Sequence, residues 1–179
     1  MRRGFKAEAK SLALELRREI GLTPIEPFNP HALAELYGVR VFPVPKLSPP
    51  SSEGDSVSGL LHPVGTGAII LENSSHSDAR CRLTVSHEMS HLVLYHEFPA
   101  LIVDPSGCRD VNPDQEDEAN CLAGELVLPT ERAHELAKNG LDDAQVARLM
   151  GISIEAARWR MNVSGARKRA AHSFARRLP

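Results

Sequence analysis

Apolar residues recur every three to four positions over 5–20, with Ala9, Leu12, Ala13, Leu16 and Ile20 on one face and acidic and basic side chains on the other. That period predicts an amphipathic helix, which Gly21 stops. A second, shorter helix is marked by its punctuation. Asn29 suits the N-cap, Pro30 the first helical position, and Gly38 closes the segment 32–37. Positions 39–44 alternate as a short strand, and Pro43 and Pro45 assign it to the edge of a sheet. The stretch 46–58 is rich in Pro, Ser and Gly and reads as a mobile loop.

Two β-type runs follow, Leu60-Leu61 and Gly67-Ala68-Ile69-Ile70-Leu71, separated by the turn-like 62–66. The polar connection 73–79 leads into a strongly apolar helix expected over 83–95, with Ser86 or Thr84 at its start. Another helix is expected over 115–128, ended by Pro129, and the final third is helical with breaks near Asn139-Gly140 and Gly151. The pattern predicts an α+β protein. Residues 1–130 form the main domain, and 131–179 a helical part in which 141–161 resembles a helix-turn-helix.

Composition changes this picture little. A hydrophobic share of 42% in 179 residues suffices for a real core, and a net charge of −2 gives no global pull toward nucleic acid or membrane. No apolar run approaches the roughly 20 residues that cross a bilayer, and the charged N-terminal pattern does not read as a secretory leader. Cys81, Cys108 and Cys121 are an odd set without metal-type spacing, so free thiols in a reducing cytoplasm are expected. Charge is uneven only at the end. From 156 to 179 there are seven basic residues and no acid: Arg158, Arg160, Arg167, Lys168, Arg169, Arg176 and Arg177. That stripe could touch phosphate, so DNA contact is a possible use of the C-terminal part.

The chemistry lies in His87-Glu88-Met89-Ser90-His91. On a helix, residues i and i+4 share a face, so the two histidines can converge on one cation. Imidazole suits Zn²⁺ and leaves room for a third protein ligand and water. Glu88 then stands beside a water whose pKa the zinc has lowered, as the general base of a peptidase. About three shuffled chains in a hundred would carry this pattern by chance, so the surroundings must decide. Two histidines and a glutamate in an apolar helix are costly unless paired or metal-bound. A third ligand is available 25 residues beyond His91. Glu116 and Asn120 are four apart on one helical face, so Glu116 can ligate while the Asn120 amide reaches a histidine's second ring nitrogen. Glu118, off that face, is the other candidate ligand.

With H-E-x-x-H at 87–91, E-x-x-A-N at 116–120, and Leu-Ala-Gly-Glu-Leu-Val-Leu-Pro after it, the chain resembles the ImmA/IrrE family of metallopeptidases. The resemblance covers roughly 5–165, including 68–71 and the lead-in 80–86. Ser90 stands where the family usually has Gly, and Leu122 where it has Phe; neither change removes a ligand. The resemblance implies a zincin-like core, zinc on His87, His91 and Glu116, and Glu88 as the catalytic residue. It also implies a cytoplasmic regulatory endopeptidase that cleaves a helix-turn-helix transcriptional repressor under stress or during mobile-element induction. The zincin logic makes 67–71 an edge strand that takes an extended peptide. Tyr95, His96, His62 and His76 are candidates for stabilising the oxyanion. The rival reading is a DNA- or protein-binding regulator that keeps the zinc site structurally.

Overall fold

Asn29 accepts hydrogen bonds from the His31 and Ala32 backbone amides, and Pro30 fixes the first φ of a short helix. This capping shows how closely local chemistry sets the elements of the computed structural model, which describes residues 1–45, 58–65, 67–97 and 112–175. In chain order these are α1 (Phe5–Glu19), α2 (Pro30–Leu36), β1 (Arg40–Val44), β2 (Gly59–Val64), β3 (Gly67–Asn73), α3 (Asp78–Val93), α4 (Pro113–Val127), α5 (Thr130–Lys138), α6 (Asp143–Met150), α7 (Ile154–Val163) and α8 (Ala166–Ala175). Among the described residues the fold is therefore a mixed α+β one, with eight helices and one three-stranded sheet. All but Ser58 of the expected loop 46–58, with Cys108, Arg176 and Arg177, lies outside the described residues.

The strand order is β1-β3-β2, with β1 parallel and β2 antiparallel to β3. This corrects the expectation for Gly67, Ala68, Ile69, Ile70 and Leu71. They belong to the middle strand, whose ladder is occupied by β2 from Gly67 to Glu72 and by β1 from Ile69 to Asn73. A strand paired on both sides has no ladder to offer a peptide. The expected turn at 62–66 is also shorter than anticipated. β2 runs on through His62-Pro63-Val64, and Val64 pairs with Gly67 across Gly65, whose φ is 60°. Pro63 is tolerated because it shares the outward-facing parity of Leu61 on an edge strand.

α3 begins five residues earlier than expected, at Asp78, because Ser77 is its cap and accepts from the Arg80 amide. Ser86 and Ser90, inside the helix, donate to the Arg82 and Ser86 carbonyls at 2.7 Å each. Their hydroxyls are thus satisfied within a buried helix. Ile70, Val85, Met89, Leu122 and Leu126, all at 0% exposure, join sheet, α3 and α4 in one core. The same cluster continues through Ala133, Leu136, Val146, Met150 and Met161 of the C-terminal helices.

The end of α3 bears on the site. Leu94 caps it, Tyr95 follows at φ 53°, the Tyr95 amide donates to Leu92 O, and the His96 amide donates to His91 O. This is a Schellman ending with tyrosine where glycine is usual, and it folds His96 back beneath His91. The left-handed conformation costs a non-glycine residue about 1–2 kcal/mol, while glycine's extra freedom in the unfolded chain costs about 0.4–1 kcal/mol. Tyr95 is 92% exposed and so gains little from packing. Tyr95→Gly should therefore raise the melting temperature by about 2 °C for a chain this size. A lowered melting temperature would show that the exposed ring makes contacts outweighing the strain.

Candidate metal centre

α3 carries His87 and His91 one turn apart, and the first turn of α4 brings Glu116 across to them. The two Nε2 atoms are 3.0 Å apart. Glu116 Oε2 lies 3.3 Å from His87 Nε2, and Glu116 Oε1 lies 3.2 Å from His91 Nε2. Four donors around a tetrahedral zinc, each about 2.0–2.1 Å from it, sit about 3.3–3.4 Å from one another. The three contacts are close to such an edge length, and among the described residues this is the group of three that could hold a metal ion. Glu118, the alternative ligand, is turned away. Its carboxylate lies behind His96, 3.6 Å from His96 Nε2, and accepts from the Arg2 amide at 2.9 Å.

The electrostatics suit a cation. Hydrogen bonding to His87 holds the Glu116 carboxyl below its ordinary range against a smaller opposing effect of burial. Glu116 is therefore an anion at neutral pH. Burial, reinforced by the charge of His87, pushes His91 down to about 4, so its ring is neutral with a lone pair free to ligate. Burial also opposes a charge on His87, but hydrogen bonding to Glu116 and the charges of Glu88 and Glu116 together raise it above its ordinary value. A metal entering at His87 therefore competes with a proton for the ring.

The remaining expected residues fall around this group. Asn120 Oδ1 lies 3.1 Å from His87 Nδ1 and can accept its proton, which leaves His87 Nε2 to face His91 and Glu116. Glu88 points elsewhere, toward the edge of the sheet, where its Oε2 accepts from the Leu61 amide at 3.1 Å. That contact depends on close approach of α3 to β2. A Cβ on Gly59 would overlap Thr84 Cγ2 and lie 3.5 Å from Glu88 Cγ. The edge beside the Glu88 carboxylate is thus β2, and not the strand picked out from the sequence.

The oxyanion candidates separate. His62 has the opposite parity to Gly59 and Leu61, which places it on the sheet face away from α3. Tyr95 is exposed, His76 follows the end of β3, and His96 Nδ1 lies 3.0 Å from His91 Nδ1. The contact of His96 with His91 is the feature that reading the sequence missed. Its signal was a histidine five residues beyond the second ligand. Nothing local shows that Tyr95 will turn the chain there.

The basic stripe divides between interior and surface: Arg158, Lys168 and Arg169 are exposed, and Arg160 and Arg167 are not. Arg160 is 5% exposed and paired with Glu125, Arg167 is held by Leu141 O and Asp143, and Arg158 also contacts Asp143. The exposed positions of α7 are Ile154, Glu155, Arg158, Trp159, Asn162 and Val163. An acid beside apolar residues is a poor phosphate contact. Trp159 packs over Gly124, where a Cβ would come 2.9 Å from its Cη2.

Comparison with known proteins adds a lineage. The model of the peptidase M78 family, described as an IrrE N-terminal-like domain, matches residues 34–162. Among curated proteins, none matches the chain. A solved structure of a Mycobacterium tuberculosis transcriptional regulator is similar in fold, with a TM-score of 0.58 at 18% identity. The similarity covers 84% of this chain but 45% of that one, so the chain spans about half the length of that regulator.

Proposed function

Because the chain belongs to the peptidase M78 family, with an IrrE N-terminal-like domain, we propose that it is a zinc-dependent endopeptidase with a zincin-like core. It makes limited, site-selective cuts in an intracellular regulatory protein, a helix-turn-helix transcriptional repressor. The observation that carries this reading is the convergence of His87, His91 and Glu116, with Glu88, whose charge acts on His87, held by the Leu61 amide. Bound zinc would polarise the scissile carbonyl and acidify water.

The chain's own residues do the rest. Glu88 accepts the proton of the attacking water and returns it to the leaving nitrogen, a positioned acid–base role worth about 10²–10⁴ in rate. The Leu61 amide orients that carboxylate without neutralising it. Asn120 fixes the His87 ring. An extended substrate segment would lie along the outer edge of β2, where the Leu61 amide faces Glu88. The repressor as substrate is carried over from the family.

The test compares new protein N-termini in cells that make wild-type or Glu88→Gln protein. Glutamine keeps the size and the hydrogen bond to Leu61 but cannot take a proton at neutral pH. One or a few Glu88-dependent cuts in a transcriptional regulator are expected, with zinc content unchanged in the variant. Identical N-termini in both strains would sink the peptidase reading, and cuts across many unrelated proteins would sink the limited, regulatory one. The likeness to a transcriptional regulator of about twice the length favours a second reading, a binding regulator with a structural metal. That reading predicts full function of Glu88→Gln in cells.

A further inference from the structure

Behind the three ligands lies a second line of polar groups that the chemistry above does not use. His91 presents Nε2 to His87 and Glu116, so Nε2 is the ring atom able to hold a metal. A histidine that ligates through Nε2 carries its proton on Nδ1. His91 Nδ1 lies 3.0 Å from His96 Nδ1. Two protonated nitrogens cannot share that distance, so His96 Nδ1 must be the acceptor and its own proton must sit on Nε2. That Nε2 is buried, has no hydrogen-bond partner at bonding distance among the described residues, and faces Glu118 Oε2 at 3.6 Å. Glu118 is in turn held through its other oxygen by the Arg2 amide at 2.9 Å, with Arg2 Nε at 3.4 Å. Every proton in the row is therefore assigned by the first one.

We infer that His96, backed by Glu118, is the positioning residue of the metal centre, setting the tautomer and ring orientation of His91 as Asn120 does for His87. The chain gives each histidine ligand its own acceptor, from two different places. Asn120 sits on α4, one turn beyond Glu116, while His96 comes from the Schellman ending of α3 itself. Glu118 thus stays close to the site as the support of a ligand's partner. Its side chain is 10% exposed, and the His96 side chain 6%, so solvent offers neither a ready substitute partner.

The inference rests on the metal reading above, and the experiment separates the two. Zinc affinity is measured by competition with a chromogenic chelator for wild type, His96→Leu, His96→Asn and Glu118→Ala, and the metal-free melting temperature is recorded for each. Removing an outer partner of a ligating histidine typically weakens metal binding about 10–100-fold. His96→Leu should show that loss. His96→Asn, whose Oδ1 replaces the Nδ1 acceptor, should recover most of it, a rescue that a purely space-filling role would not produce. Glu118→Ala should weaken binding in the same direction while the core stays intact. Wild-type zinc affinity in both His96→Leu and Glu118→Ala overturns the inference and leaves the metal reading standing. An equal loss in His96→Leu and His96→Asn also overturns it, because the acceptor is then irrelevant. A wild type that takes up no zinc overturns both.

Discussion

Glu116→Ala should leave the protein folded and without stoichiometric zinc after reconstitution and desalting. Both oxygens of this carboxylate face the histidines, at 3.2 and 3.3 Å from the two Nε2 atoms, so one residue contributes the only anionic donor of the group. Two neutral imidazoles alone leave a divalent ion half-ligated and its charge uncompensated. The loss must therefore exceed the about 10–100-fold expected for an outer partner. The fold should tolerate the change because Glu116 is half-buried on the first turn of α4, and alanine is a good helix former. Glu118→Ala supplies the contrast, with weakened but stoichiometric binding. Metal analysis of the two variants decides between the carboxylates that the sequence left open. One zinc retained by Glu116→Ala would move the third ligand elsewhere.

Those two carboxylates also show where a sequence can be read and where it cannot. Spacing alone put Glu116 with Asn120 on one helical face, and the fold brings that face to α3. α2 was equally legible, because its cap, its proline and the closing Gly38 are local instructions. The start of α3 was not. Thr84 and Ser86 look like caps, and only packing reveals that Ser86 spends its hydroxyl on a carbonyl four residues back. Pro63 looked like a turn residue for a related reason. A proline is compatible with a strand whose outer edge needs no amide at that point, and which edge is outer is a tertiary fact. The same limit misplaced 67–71. An apolar run says that a strand is buried, yet the choice between middle and edge depends on β1, 29 residues upstream in register, pairing with it. Linear charge was the least informative signal. The C-terminal stripe counts residues that the fold assigns to a buried ion pair, a capped loop and the surface.

Arg160→Leu should cost about 3–5 kcal/mol, roughly a fifth or more of the stability of an ordinary domain. The guanidinium is buried against Glu125, its Nε donates to Gly124 O and Leu128 O at 2.8 Å each, and its Nη2 donates to Thr130 Oγ1 at 2.9 Å. Thr130 closes the ring by donating both its amide and its hydroxyl to Glu125, at 2.8 and 2.6 Å. One side chain of α7 thus completes the last turn of α4 and the first of α5, where orphan carbonyls would otherwise be buried. Leucine fills the space but strands the Glu125 carboxylate, at 4% exposure, without its cation. The double variant Arg160→Leu with Glu125→Leu removes the stranded charge and should recover part of the loss. It should not recover all of it, because Leu128 O still lacks its donor. Arg158→Ala changes a side chain that is 64% exposed and should stay within about 0.5 kcal/mol of wild type. Urea melts of these variants give the ordering directly. If Arg160→Leu melts with wild type, the ion pair is not buried in solution, and Arg160 returns to the surface as a candidate contact for phosphate. If it falls while Arg158→Ala does not, Arg160 holds the helix that carries Glu116 to the C-terminal helices and is not available to DNA.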